Sequence, residues 1–289
     1  MKNVERHSVG QAVPVSKMHG TLNDFVVFDN RGIDIEHIAA FARFGTFASF
    51  GRYMCDRHAA IGADGLLVLE NSAIADVRMR VINADGSEAE MCGNGIRCVV
   101  RYLAEEKTEM HGYVSAPKRM FRIETVAGII ETSVIAREPA FLVRAMMGVP
   151  VIERKALPVP DAMCVSLGNP HVVIFESEAI DAIDLPGIAI SFQNSMLFPD
   201  GTNVHVAAKI GERMLTVRHW ERGVGETMSC GTGAVACAVA AIQRGLVQSP
   251  VEVRVPGGTL MVEWGGSGVA YLTGPAVRVF DANISLTAQ

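Results

Sequence analysis

The sequence lacks the cysteine and histidine patterns that hold metals. Its six cysteines and eight histidines form no Cys-x-x-Cys pair and no His-Glu-x-x-His motif. The closest cysteines, Cys92 and Cys98, are too far apart for a zinc knuckle. Disulfide frameworks are typical of short secreted chains, whereas this chain has 289 residues. We therefore expect free thiols and no metal site.

The sequence also lacks basic blocks and long apolar runs. The net charge is −5, which argues against a nucleic-acid or anionic-membrane partner. The low-charge stretch 227–243 is too rich in small residues, and too polar at its start, to span a bilayer. Residues 1–17 contain no apolar segment of a secretory signal. We expect a cytoplasmic protein with no membrane partner.

Short apolar runs separated by turn residues make up most of both halves. In the first half, residues 24–30, 65–71 and 77–83 read as strands, and residues 35–44 have helical spacing. Further strands are expected around 121–128, 128–136 and 140–148. The second half has a similar order, with strands across 164–175, at 201–210 and 213–221, and across 269–280, and a hairpin at 251–264.

One central helix is predicted in each half. Ile96, Val99, Val100 and Leu103 are spaced i, i+3, i+4 and i+7, which predicts an amphipathic helix ending near Glu106. In the second half, an alanine-rich run follows Gly233 and ends near Gly245. This second helix has small apolar residues nearly all round, which indicates that a sheet surrounds it.

The two halves therefore suggest an internal duplication. We predict an α+β fold of two pseudo-symmetric domains, each a mixed or antiparallel sheet wrapped around a central helix. The expected domains are residues 1–146 and 147–276, with a hinge near 146–150. The active site is expected in the cleft between them.

A cysteine directly precedes a Gly-x-Gly step at the start of each central helix. The sequences are "MCGNG" around Cys92 and "SCGTG" around Cys230. Free N–H groups at a helix start bind anions and stabilise a thiolate, and glycines allow a ligand to approach the backbone. Each copy therefore offers a reactive sulfur beside an anion site.

Several functions remain open on this evidence. Two sulfurs across a cleft suit racemisation or epimerisation, in which one thiolate removes a proton and one thiol returns it to the opposite face. They also suit dithiol redox chemistry. A third possibility is an amino-acid-binding module in which the cysteines merely pack, because free cysteine is often buried.

Several motifs give the chain a specific resemblance. It resembles the diaminopimelate epimerase family in "KMHGTLNDFVVFD", "IGADGLLVLE", "NADGSEAEMCGNGIRC", "GNPHVVIF", "GTNVHVA" and "WERGVGETMSCGTGAVACA", which span Lys17 to Cys237. The resemblance implies an isomerase that interconverts L,L- and meso-diaminopimelate without pyridoxal phosphate or another cofactor, for lysine and cell-wall synthesis. It also implies that the last strand, within 277–289, returns to the first domain. A homodimer is a further expectation.

The resemblance also implies roles for individual residues. Cys92 and Cys230 are the acid–base pair, and His171 and Glu221 are candidates for tuning the thiols. The implied substrate-binding residues are Asn23, Asn83, Gly93, Asn94, Asn169, Asn203, Glu221, Arg222, Gly231 and Thr232. Asparagine suits a zwitterionic amino acid because its amide both donates and accepts hydrogen bonds, and arginine grips a carboxylate with a planar fork.

One residue departs from the family pattern. Leu22 stands where the family usually has glycine before the asparagine of "NDF". A side chain there could narrow the pocket or redirect the loop. Racemisation of another amino acid, such as histidine, by the same cysteine pair is therefore the alternative.

Overall fold

The structure, a computed structural model, describes residues 12–32, 41, 44–106, 119–177, 180–193 and 195–285. The elements of the first half are β1 (Ala12–Gly20), β2 (Asn23–Asp29), α1 (Phe47–Cys55), β3 (Gly65–Glu70), β4 (Val77–Asn83), β5 (Glu88–Ala89), α2 (Gly93–Glu105), β6 (Met120–Thr125), β7 (Gly128–Ala136) and β8 (Leu142–Met146). The elements of the second half are β9 (Val151–Glu153), β10 (Met163–Ser166), β11 (Pro170–Glu176), α3 (Leu185–Gln193), β12 (Asn203–Gly211), β13 (Met214–Glu221), β14 (Gly225–Thr227), α4 (Gly231–Gln243), β15 (Val251–Val255), β16 (Gly258–Glu263), β17 (Tyr271–Pro275) and β18 (Val277–Ser285).

The two halves share one strand topology. In the first half, β2 pairs parallel with β3 and antiparallel with β1, and β4 pairs antiparallel with β3 and β5 and parallel with β6. In the second half, β11 has the same relation to β12 and β10, and β13 to β12, β14 and β15. Antiparallel triplets, β6–β7–β8 and β15–β16–β17, complete each half. This repetition agrees with the predicted duplication.

The central helices are where the sequence predicts them. Helix α2 ends at Glu105, and α4 is buried from Gly231 to Ala241 except at Thr232. The C-terminal stop is also confirmed, since Gly245 has a φ of 68° and its N–H donates to the Ile242 carbonyl. Burial on nearly all sides explains why α4 consists of small apolar residues: larger ones would not fit between it and the surrounding sheet.

Helix α1 was not predicted from the sequence. The Thr46 hydroxyl caps it by accepting from the Ser49 N–H at 3.2 Å, and its apolar face is buried. Its aromatic residues and its internal Gly51 are weak helix formers, so the local signal is poor. A Cβ at Gly51 would lie 2.5 Å from Cγ2 of Ile82, so packing against β4 requires the glycine.

Helix α3 was also missed, because Pro186 and Gly187 in its first turn are typical of a loop. The helical spacing predicted for 35–44 lies outside the described residues, apart from positions 41 and 44. Among the described helices, none is long and apolar enough to cross a membrane.

Two strand pairs connect the halves. Strand β17 pairs antiparallel with β8, from Tyr271 opposite Met146 to Pro275 opposite Leu142. Strand β18 then pairs antiparallel with β1. The last strand therefore lies in the sheet of the first half, while the domain limits at residues 146 and 276 stay a prediction.

Candidate active site

The two central helices begin against one another. A Cβ built on Gly231 at the start of α4 would lie 3.6 Å from the Cα of Gly93 at the start of α2. A Cβ on either glycine would therefore already be in van der Waals contact with the other helix. The glycines therefore bring two helix N-termini, with their unpaired N–H groups, to one point.

Each cysteine caps its own helix. The Cys92 sulfur accepts a hydrogen bond from the Gly95 N–H, and the Cys230 sulfur accepts one from the Gly233 N–H, both at 3.4 Å. Both cysteines have extended backbones, as N-cap residues do. The Cys-Gly-x-Gly spacing thus places each sulfur over the first turn of a helix.

A cavity of about 420 Å³ opens between the halves at these helix starts. This volume is in the range of small-molecule sites. Among the site residues expected from the sequence, those lining it are Asn23, Asn83, Cys92, Gly93, Asn94, Asn169, Glu221, Arg222, Cys230, Gly231 and Thr232. His171 and Asn203 are buried and do not line it.

Cys230 lies beside a carboxyl group. Glu221 lies near the Cys230 thiol and accepts a hydrogen bond from the Thr227 hydroxyl at 2.6 Å. Burial raises the pKa of Glu221. Burial, followed by the negative charge of Glu221, raises the pKa of Cys230 well above its usual value. This pair can therefore exchange a proton between oxygen and sulfur.

Cys92 lies beside an amide. Its sulfur is 3.8 Å from Oδ1 of Asn23, an acceptor for the thiol proton. The Asn23 amide is held at its other end, where Nδ2 donates to the Asp64 carboxylate at 2.9 Å. Burial raises the pKa of the Cys92 thiol to about 11, although the Gly95 N–H favours the thiolate. The two sulfurs therefore have different neighbours.

These pKa directions differ from the sequence-based expectation. The helix starts were expected to stabilise thiolates, and their N–H groups do act in that direction. Burial opposes this effect and outweighs it at both Cys92 and Cys230. Both groups are therefore neutral thiols at pH 7 in this structure.

Asn94 connects the two halves across the cleft. Its Nδ2 donates to Oδ1 of Asn23 and to the carbonyl of Ser229 in the second half, at 3.2 and 3.0 Å. Its Oδ1 accepts from Arg97 at 2.8 Å. Because every end of the side chain is bound, Asn94 holds the Cys92 and Cys230 segments at a fixed separation.

Arg97 is a site residue that sequence reasoning missed. Its side chain is fully buried, and within the described residues no carboxylate forms an ion pair with it. It donates instead to the carbonyls of Gly93 and Pro275, the hydroxyl of Thr21, and Asn94. The only available signal was a charged residue within the apolar run 96–100.

Asn203 and Arg222 form the edge of the site. Asn203 accepts from the Arg222 backbone N–H at 3.0 Å and donates to the Pro170 carbonyl at 2.9 Å. It thus fixes the turn that follows Glu221. The Arg222 guanidinium is exposed at the cavity and donates to the Asp200 carbonyl.

Asn83 lies in a turn at the cavity wall, and Asn169 stands in front of a buried histidine. The Asn83 amide donates to the Ser87 hydroxyl at 2.9 Å. Oδ1 of Asn169 lies 3.0 Å from Nε2 of His171. The other ring nitrogen of His171 lies 2.9 Å from His205. His171 therefore reaches the cavity only through Asn169.

This arrangement agrees with comparison to known proteins. The model of the family described as diaminopimelate epimerase matches residues 15–153 and 163–279. The chain belongs to this family. The sequence-based prediction of an isomerase of this family is therefore confirmed.

Individual relatives support the assignment over the whole chain. A diaminopimelate epimerase of Rhizorhabdus wittichii is 42% identical over 284 residues, covering 94% of this chain and 95% of the relative. One of Desulfitobacterium hafniense is 38% identical, covering 92% and 96%. A phenazine biosynthesis protein of the PhzF family from Bacillus anthracis has a TM-score of 0.69 at 16% identity, covering 95% and 99% of the two chains. The last match supports the fold alone, and it confirms the predicted α+β architecture.

The departure from the family at Leu22 leaves the cleft lining intact. Thr21 and Leu22 form the two-residue turn between β1 and β2, with φ angles of 52° and 62°. Leu22 thus adopts the left-handed conformation that glycine favours. Its side chain is 50% exposed and does not line the cavity.

Proposed function

We propose that this protein interconverts L,L- and meso-diaminopimelate by proton transfer between two cysteine sulfurs, without pyridoxal phosphate. The observation that carries the proposal is that Cys92 and Cys230 cap two abutting helices at one cavity. Inversion of a carbon needs one group on each face, and this site offers one sulfur from each half. Chains 42% and 38% identical to this one carry the name of the same activity.

The first step creates a thiolate. Glu221 takes the proton of the neighbouring Cys230 thiol. Its raised pKa suits this role, because a base is most effective when its pKa lies near the working pH. The Cys230 thiolate then removes the Cα proton, and the Cys92 thiol delivers its own proton to the opposite face. The roles of the sulfurs reverse for the other stereoisomer.

The helix starts stabilise the charge that develops. As the Cα proton leaves, negative charge spreads onto the substrate carboxylate. The backbone N–H groups of Gly93, Asn94, Gly231 and Thr232 belong to the first turns of two helices and line the cavity where the substrate carboxylate would lie. Such prearranged donors in a water-poor site favour the transition state over the ground state.

The remaining polar residues bind the two zwitterionic ends of the substrate. Asn23, Asn83 and Asn169 supply amides, and Arg222 supplies an exposed guanidinium for the distal carboxylate. Asn203 acts indirectly, by holding the turn that carries Glu221 and Arg222. A homodimer and a cytoplasmic location stay predictions.

Isotope exchange tests the proposal. L,L-diaminopimelate incubated in heavy water should gain deuterium at the inverted carbon, as followed by NMR. Cys92→Ala and Cys230→Ala should each lower turnover by at least about 10³-fold, because each removes a required proton carrier. Matched controls are Cys98→Ala and Cys237→Ala, which alter buried cysteines inside the same two helices and should keep turnover.

The same assay distinguishes the alternatives. Deuterium uptake into another amino acid, with none into diaminopimelate, would indicate a different racemase. Turnover that requires a Cys92–Cys230 disulfide, rather than reduced thiols, would indicate dithiol redox chemistry. Full activity in both cysteine variants of the proposed pair would reject the two-thiol mechanism.

A further inference from the structure

A row of three buried histidines lies behind the second half of the cleft. His171, His205 and His219 are each 0% exposed and lie on the adjacent strands β11, β12 and β13. Nδ1 of His171 is 2.9 Å from Nε2 of His205, and Nδ1 of His205 is 2.9 Å from Nδ1 of His219. We call these residues the histidine row. Its nitrogens face one another in pairs, and among the described residues no group is placed to hold a metal ion.

The histidine row lies directly beneath the first turn of α4. A Cβ on Gly233 would come within 2.5 Å of His205 Cε1 and 3.0 Å of His219 Nδ1. Only glycine fits over the row, and the N–H of this glycine is the one that donates to the Cys230 sulfur. The row therefore packs against the segment that carries a reactive thiol.

The first half provides an internal comparison. Leu67 lies opposite Val81 and beneath Gly95, as His205 lies opposite His219 and beneath Gly233. Phe25, two residues after Asn23, corresponds to His171, two residues after Asn169. The equivalent positions of the first half, which we call the first row, are thus filled by apolar side chains without polar groups. Packing alone therefore does not require histidines in the histidine row.

The hydrogen bonds of the histidine row run in one direction, with His219 donating to His205 and His205 donating to His171. Among the described residues, Nε2 of His219 is buried and has no hydrogen-bond partner. A buried N–H without a partner is rarer in proteins than an unsatisfied acceptor, so this nitrogen carries a lone pair and the proton is on Nδ1. His219 then donates to Nδ1 of His205, and Nε2–H of His205 donates to Nδ1 of His171.

The same order of donor and acceptor continues from His171 to Asn169 at the cleft. With its Nδ1 accepting, His171 carries its proton on Nε2 and donates to Oδ1 of Asn169. The Asn169 oxygen is thereby turned toward His171, and its NH₂ group, which donates to none of the described residues, can donate to a ligand in the cavity. Burial lowers the pKa of all three histidines, which agrees with a neutral chain.

We propose that His205 and His219 are positioning residues that fix the tautomer of His171 and, through it, the orientation of the Asn169 amide. The amide then presents a hydrogen-bond donor, which selects a ligand acceptor such as a substrate carboxylate at this point. This inference rests on the proposed function for the identity of the ligand. The tautomer pattern itself depends only on the histidine row.

NMR of the full-length protein with ¹⁵N-labelled histidine tests the pattern directly. Ring-nitrogen shifts should assign Nε2–H to His171 and His205 and Nδ1–H to His219. Assignment follows from the loss of single signals in His205→Gln and His219→Gln. The reverse pattern, with Nδ1–H on His171 and His205, or any charged member of the row near pH 7, would overturn the inference.

Steady-state kinetics tests whether the orientation of the Asn169 amide affects substrate binding. His205→Leu, which places the first-half residue at this position, should raise KM for L,L-diaminopimelate by roughly 3- to 10-fold, about one hydrogen bond. The kcat should change less than about twofold if the amide donates to the distal carboxylate, because that group gains no charge in the reaction and the bond acts equally in ground and transition states. His205→Gln keeps one donor and one acceptor and should restore most of the KM.

Controls distinguish positioning from packing. Leu67→Met alters the equivalent position beneath Gly95 with similar volume and should leave KM unchanged. An unchanged KM in folded His205→Leu, or no rescue by His205→Gln, would overturn the inference. If the wild type does not turn over diaminopimelate, the proposed function fails, whereas the tautomer pattern is still measured independently.

Discussion

The two halves share a scaffold but surround their cysteines with different chemistry. Asn83 and Glu221 occupy equivalent positions, each nine residues before its cysteine at the end of an equivalent strand. The first half has an amide there and a buried cation, Arg97, in its helix, where α4 has Val235. Duplication therefore supplies two similar thiols, and later divergence makes only Cys230 the neighbour of a base.

The largest expected effect comes from replacing the Glu221 carboxyl by an amide, which removes this difference between the two halves. Glu221→Gln keeps the size and the acceptor for Thr227 but takes no proton from Cys230. We expect kcat to fall by about 10²- to 10³-fold, the usual contribution of a general base. Steady-state kinetics in both directions checks this.

The matched control is Glu226→Gln, which alters an exposed carboxylate on β14 paired with Arg218. It should retain at least half of the wild-type kcat. If Glu221→Gln also retained it, Cys230 would have to lose its proton to another group, and the asymmetry of the two halves would have no catalytic meaning.

Arg97, which has no counterpart in α4, is a second difference between the halves, and we expect it to affect stability. Arg97→Met leaves Asn94, Thr21 and the Pro275 carbonyl without their buried donor. Each unsatisfied group costs about 1–3 kcal/mol, partly offset by removing a buried charge, so we expect a loss of about 3 kcal/mol. Urea unfolding measures it.

Arg101→Met is the control for this loss. Arg101 lies one turn later, is partly exposed, and pairs with Glu105. Its replacement should cost less than about 1 kcal/mol. Equal losses in the two variants would mean that the buried position of Arg97 has no special energetic role.

The histidine row predicts a pH dependence that the apolar first row lacks. Burial lowers the pKa of His171 and His219 to about 3 from 6.5. The unfolded chain therefore binds more protons between these values. Stability is fully present above about pH 6.5 and falls as the pH approaches 3. The loss between pH 6.5 and 5 should be about 2 kcal/mol per histidine.

The double variant His205→Leu/His219→Val has the side chains of the first row. It should lose less stability than the wild type as the pH falls. Urea unfolding at several pH values compares it with the wild type, so that titration of other groups cancels. Parallel stability curves from pH 7 to 5 would show that the row does not stay neutral in the folded protein.

Local patterns explain which features the sequence could predict. The Cys-Gly-x-Gly step and the spacing of Ile96 to Leu103 lie within one helix, so they predict the caps and the buried face directly. His205 and His219 meet only through strand register, and Arg97 finds its partners in distant segments. The pKa directions at the thiols depend on burial by both halves, which no short motif contains.

The smallest expected effect concerns Leu22, whose equivalent before Asn169 is Gly168 with a φ of 95°. Leu22 adopts a φ of 62°, a left-handed conformation that costs a residue with a Cβ about 1–2 kcal/mol. Leu22→Gly relieves this cost but increases the entropy of the unfolded chain, so we expect a gain of about 1 kcal/mol in the free energy of unfolding, measured in urea.

Thr21→Gly, at φ 52°, should instead destabilise the protein, because the Thr21 hydroxyl bonds to Ser229 and Arg97. A loss of stability in Leu22→Gly would mean that the leucine side chain contributes packing larger than its strain, and that the two turns diverged for a structural reason.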